Sequence, residues 1–218
     1  DIAKITEQIS LAREKLKVMD FWFRYFDPLS YKKINGPLPV EWEFEVLEPP
    51  RKIEGAGLTL AELYLEEDKI AKDTLINLIS SAVRASNIFN ANIFKDELKT
   101  YHHFFLCNRL YLLNLAAIYT TGFECPDTLK IIPELRKMLL DVRDIYAAFN
   151  SSFPETKLSG DYLSIYDNTV SFVNQQPSDF SKFDHFTFIK DFVNPLFKIN
   201  QKLINEYKVV SRSNSDRS

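Results

Sequence analysis

The stretch "YHHFFLCNRLYLLNLAAIYTTG", Tyr101 to Gly122, is apolar on nearly every side of a helix. A segment with no broad polar face belongs either at the centre of a bundle or across a membrane. Asn108, Arg109 and Asn114 decide between the two. They interrupt the apolar run from Phe104 to Tyr119, which falls short of the ~18 uninterrupted residues of a membrane span. A central buried helix follows, starting near Asp96, running to Thr121 and stopped by Gly122. Arg109 and Asn108 then lie inside the core or at its edge. A buried guanidinium needs a carboxylate, and Glu62 and Glu66 are the candidate partners of Arg109 in an internal ion pair.

Helical spacing extends outward from this segment. Upstream, Ile2, Ile5, Ile9, Ala12, Leu16 and Met19 recur three or four apart and lead into "FWFRYF", which Asp27-Pro28 ends. Residues 27–57 are irregular and hold five prolines and three glycines. Within them "VEWEFEV", Val40 to Val46, alternates apolar and acidic residues as a strand does. It has no partner of comparable quality, and a lone strand leaves its backbone groups unpaired. It reads as an extended arm or short helix laid apolar side down on the bundle.

Helices resume beyond it. One covers about Leu58 to Glu67, and the next is "KDTLINLISSAVRASNIFN", with Asp73 as its cap. After the central helix, a further one follows "CPDT", with Pro133 in its first turn and Leu135, Leu139, Val142, Ile145 and Phe149 as its stripe. Another covers about Glu155 to Gln175. The last runs from near Ser181 to about Val209, kinked at Pro195. The fold class is all-α, a bundle of about six helices with a Pro-rich irregular segment after the first. One domain covers residues 1–210, and the polar "SRSNSDRS" of residues 211–218 is a disordered tail or linker.

The chain has 218 residues, 45% of them apolar and 26% charged, enough for a substantial core. Its net charge of −3 implies no basic face and argues against nucleic acid as a partner. The cysteines are Cys107 and Cys125. From Cys107 to Thr121 a helix carries the chain about 20 Å. The four residues to Cys125 return at most ~14 Å, so no disulfide is expected. His102 and His103 point about 100° apart on a helix, and His185 is distant, so no metal ligand is assigned. No G-x-S-x-G, H-E-x-x-H or Gly-rich phosphate loop occurs, and no catalytic residue is assigned.

One short motif carries a resemblance. "GLTLAELYL", Gly57 to Leu65, resembles the G-x-H-x-x-E motif of the imelysin-like family. Gly57 and Glu62 match it, and Thr59 stands where the family has histidine. Upstream, Trp22, Arg24, Pro28 and Trp42 are similar to the aromatic-Arg-aromatic, x-Pro, then Trp arrangement that precedes the family motif. The resemblance implies an all-helical, exported protein of the periplasm or cell surface, associated with iron uptake, with a metal- or haem-related ligand near the motif. Thr59 departs from that pattern, because a hydroxyl is a poor ligand for a transition metal. The motif also has a ligand-free reading. Gly57 permits a tight bend, and Thr59 and Glu62 form a capping box at the helix entry.

"KKINGPLPVEWE" and "HHFFLCNRLYLLNLAAIYTTGFECPDT" also look like the helical N-terminal region of bacterial di-haem cytochrome-c-peroxidase-like proteins. That resemblance implies haem or iron in a following domain and no cofactor in this chain, which has no C-x-x-C-H. The expected function is a non-catalytic binding or docking domain, with a protein partner or an adjoining haem domain. A metal-dependent or peroxidase-linked activity and an inert scaffold are the alternatives.

Overall fold

Helices make up most of the computed structural model, which describes residues 1–44, 47–89 and 94–210. The fold is all-α, as the sequence predicts. Helix α1 spans Ile2–Phe26 and α2 spans Pro28–Ile34. Asp27 ends the first and caps the second, its side chain accepting from the Ser30 amide at 3.0 Å. Pro28 suits the first turn, where no amide donor is needed.

The acidic-apolar segment differs from expectation. Strand β1, Val40–Phe44, pairs antiparallel with β2, Leu47–Ile53. The partner is "LEPPRKI", whose two prolines hide it from a strand reading. They are tolerated because a two-stranded sheet has only edge strands, and the register is irregular between Trp42 and Phe44.

Helix α3 spans Gly57–Tyr64 and α4 spans Lys72–Phe89, with Asp73 inside its first turn. A 3₁₀ turn at Glu97–Lys99 precedes α5, Tyr101–Ala117. Helix α6 spans Ile131–Ser152, and α7 spans Gly160–Gln175. Ser159 caps α7 by accepting from the Tyr162 amide. The chain then passes through α8, His185–Thr187, a π-helical turn at Phe188–Val193, and α9, Asn194–Glu206. Asn194 and Pro195 open α9 immediately after the wide turn. The tail at 211–218 lies outside the described residues. No helix among the described residues is long and apolar enough to cross a membrane.

Two apolar clusters hold the elements together. The larger joins the C-terminal end of α1 to α5, α6, α7 and α9, and Phe104 stacks on Phe149 with ring centroids 3.5 Å apart. Helix α5 is central to it, with Phe105, Cys107, Leu112 and Leu115 fully buried. Asn108 is also buried, donating to Tyr162 Oη and Asn200 Oδ1, each at 2.8 Å, and accepting from Tyr146 Oη at 2.6 Å. The smaller cluster gathers the first half of α1 with α2, α3 and α4. Helix α1 contributes to both, and the candidate site lies along it.

Candidate functional site

Helix α1 buries a charged stripe. Arg13, Lys17, Asp20 and Arg24 recur at intervals of four, three and four, and the first three are at most 5% exposed. Such spacing places them on one helical face. The apolar residues Ile5, Ala12, Leu16 and Met19 instead line an open groove of about 640 Å³ with Ile79, Ala82 and Val83 of α4.

Arg13 is the hub. Its Nε and Nη2 donate to the two carboxylate oxygens of Glu134 at 3.1 and 3.2 Å. Nη1 donates to Thr59 Oγ1 at 3.0 Å and Asn35 Oδ1 at 3.4 Å, and Nη2 also donates to the Glu124 carbonyl. Glu62 Oε2 lies 3.4 Å from Nε. One guanidinium thus ties α1 to α3, to the end of α2, to the loop after α5 and to the start of α6. Burial pulls the Arg13 pKa down, but the charge and hydrogen bonds of Glu134 outweigh it and the pKa stands above its ordinary value. Bidentate Arg–carboxylate geometry makes this the strong form of such a pair.

Gly57, Thr59 and Glu62 do come together around this hub. Gly57 has φ +63°, and a Cβ there would sit 2.1 Å from the Ile34 carbonyl oxygen. The bend is therefore real and needs glycine. The capping box is not formed. The cap position of α3 is Ala56, with no side-chain bond. Thr59 lies inside the helix, its hydroxyl donating to Asn35 Oδ1 at 2.9 Å while accepting from Arg13. Glu62 is held by Lys130, whose Nζ donates to Oε1 at 2.6 Å. Charged partners across the fold replace the local amide partners of a cap.

Arg24 forms a second knot on the same stripe. Its Nε meets Asp20 at 2.8 Å, and Nη2 donates to Tyr31 Oη at 2.9 Å and to Glu124 Oε2. Tyr31 Oη donates to the same Glu124 oxygen at 3.2 Å. Burial is the largest influence on Glu124 and raises its pKa, with Arg24 pulling the other way. Trp22 packs edge-on against Phe21 at 4.8 Å and serves the aromatic core. Trp42 pairs with Arg51 in the hairpin register, and its side chain lies outside the described residues.

The expected Arg109 clamp is not where the charges meet. Arg109 is half-buried on α5 and makes no ion pair among the described residues, and Glu66 is exposed. Arg13 fills that role instead. Sequence reasoning missed it, with Lys17, Asp20, Asn35, Glu124, Lys130 and Glu134. The signal was the charged stripe itself, which also reads as a solvated helix face.

The motif residues do not fit a metal ion. The Thr59 hydroxyl is engaged by Arg13 and Asn35, and Glu62 sits between two fixed cations that would repel a third. Among the described residues, no group of three or more His, Cys, Asp or Glu is placed to hold one. The histidines are apart in role: His103 Nδ1 meets Tyr25 Oη at 3.2 Å, and His102 stacks on Tyr101. Cys107 and Cys125 are free and buried. No family model matches this chain, and neither a curated protein nor a solved structure is significantly similar to it.

Proposed function

We propose that this chain is a non-catalytic helical binding or docking domain in which the Gly57–Glu62 segment is a structural lock. The observation that carries the reading is the Arg13 guanidinium seated among Glu62, Glu134 and Thr59, where a bound metal would need those same oxygens. A guanidinium supplies the positive charge permanently, without the pH and supply dependence of a metal. The imelysin-like resemblance of Trp22, Arg24, Gly57 and Glu62 is the basis for placing the protein in the periplasm or at the cell surface, beside an iron or haem system. The second resemblance makes an adjoining haem domain, or another protein partner, its counterpart. The concave groove between α1 and α4, lined mainly by apolar side chains, supports docking over an inert scaffold.

Metal analysis of the purified chain, with a haem titration followed in the Soret region, tests the reading. The expected result is no stoichiometric metal and no saturable Soret change. Stoichiometric iron or zinc that disappears in Glu62→Ala would overturn it.

A further inference from the structure

A cleft of about 350 Å³ is lined by Arg24, Lys32, Leu110, Asn114, Phe123 and Glu124, among others, and by none of Gly57, Thr59 and Glu62. This is within the usual size range for small-ligand pockets, roughly 300–1,000 Å³. Two of its polar side chains are more than nine-tenths buried, Asn114 at 7% and Glu124 at 5% exposure. Among the described residues, the Asn114 side-chain amide has no hydrogen-bond partner. Among the described residues, the Glu124 carboxylate engages only Oε2, leaving Oε1 without a hydrogen-bond partner. Arg24 donates hydrogen bonds from Nη2, its Nε meets Asp20 as an ion pair, and Nη1 has no hydrogen-bond partner among the described residues. Lys32 is exposed and makes no ion pair among the described residues. These vacant donors and acceptors are not sealed away from solvent, so one cleft with an apolar wall offers several polar groups of both signs to a ligand.

The charges select its class. Arg24 and Glu124 are in contact, so a ligand of one sign meets an attraction and a repulsion together. A ligand carrying both signs meets two attractions. We propose that the cleft binds a small zwitterion with an apolar side chain, an α-amino acid of the size of leucine or phenylalanine. Its carboxylate is received by Arg24 Nη1 and Lys32, its ammonium by Glu124 Oε1 and Asn114 Oδ1. Leu110 and Phe123 provide the apolar wall for its side chain. The inference gives the binding domain proposed above a ligand and rests on that reading, but the two fail separately.

Calorimetric titration of the full chain with L-phenylalanine, N-acetyl-L-phenylalanine and L-phenylalaninamide tests it, beside metal analysis of the same sample. The expected result is saturable one-site binding of L-phenylalanine, weakened about tenfold or more by either blocking group, since each removes one charge-assisted contact. Asn114→Leu, checked for folding by circular dichroism, should weaken L-phenylalanine similarly. The exposed Lys32→Ala serves if Asn114→Leu does not fold. It should weaken the two carboxylate-bearing ligands and leave L-phenylalaninamide unchanged. Absence of saturable heat at millimolar ligand, equal binding of the blocked forms, or unchanged binding by the folded variants would overturn the proposal. Stoichiometric metal would overturn the locked-motif reading and leave the cleft result standing.

Discussion

Replacing Arg13 with leucine leaves Glu134 and Glu62 inside the protein with only Lys17 and Lys130 to balance them. Breaking a buried pair from one side costs about 3–5 kcal/mol, and Arg13→Leu should lower the unfolding free energy in urea by that amount. Arg13→Lys should recover little, because an ammonium cannot bond both Glu134 oxygens and still reach Thr59. Gly57→Ala should cost about 2 kcal/mol or more in the same measurement, since φ +63° and the Ile34 carbonyl both oppose a Cβ. The Gly57 bend was legible because glycine before a helical pattern has few other uses. The Arg13 hub was not. A charge on a helix reads the same whether it faces water or a carboxylate, and Glu124 and Glu134 are far away in sequence. Cys125 adds a chemical check. Burial, then the Glu134 charge, pushes its thiol up to about 12. The native chain should therefore react with iodoacetamide near neutral pH far more slowly than the unfolded chain, because the thiolate is the nucleophile.

Among the elements, α5 was the most legible, because a helix apolar on all sides needs no knowledge of its partners. Its packing should be costly to disturb. Phe149→Ala removes the ring stacked on Phe104 and should destabilise by about 3–5 kcal/mol in urea unfolding. Helix α1 was legible in extent but not in orientation. Its apolar stripe packs Ile5, Ile9 and Leu16 on the smaller cluster beside the α4 groove, and its charged stripe is buried as well, a departure from the amphipathic rule. The rule fails because α1 lies between two clusters, and compensating carboxylates come from α3, α6 and the loop between α5 and α6. The hairpin was half legible. β1 alternates cleanly, while β2 carries two prolines that only a sheet without central strands accepts.

At the scale of the whole molecule, α1 joins the two clusters, placing Phe21 and Phe26 in one and Ile9 and Phe23 in the other. The pH dependence of stability follows from groups near that axis. Burial, then the His102 charge, holds His103 below the ordinary imidazole value. The unfolded chain therefore binds a proton at higher pH than the folded one. The contribution of His103 is present above the ordinary histidine range and is lost as pH falls toward its lowered value. Glu124 works with the opposite sign, since a raised carboxyl favours the folded state as pH falls through its range. Urea midpoints compared between His103→Gln and the parent at neutral and mildly acidic pH isolate the histidine. The variant should show the shallower acid decline. The wide turn at Phe188–Val193 has a consequence of another kind. A π turn is wound about one residue wider than an α turn. Deleting the exposed Lys190 should let it tighten into ordinary helix while Asn200 keeps its place beside Asn108, whereas one residue lost from α9 ahead of Asn200 would swing that side chain away by about 100°. This stretch is thus where the chain can shorten in evolution without losing the alignment of its last helix.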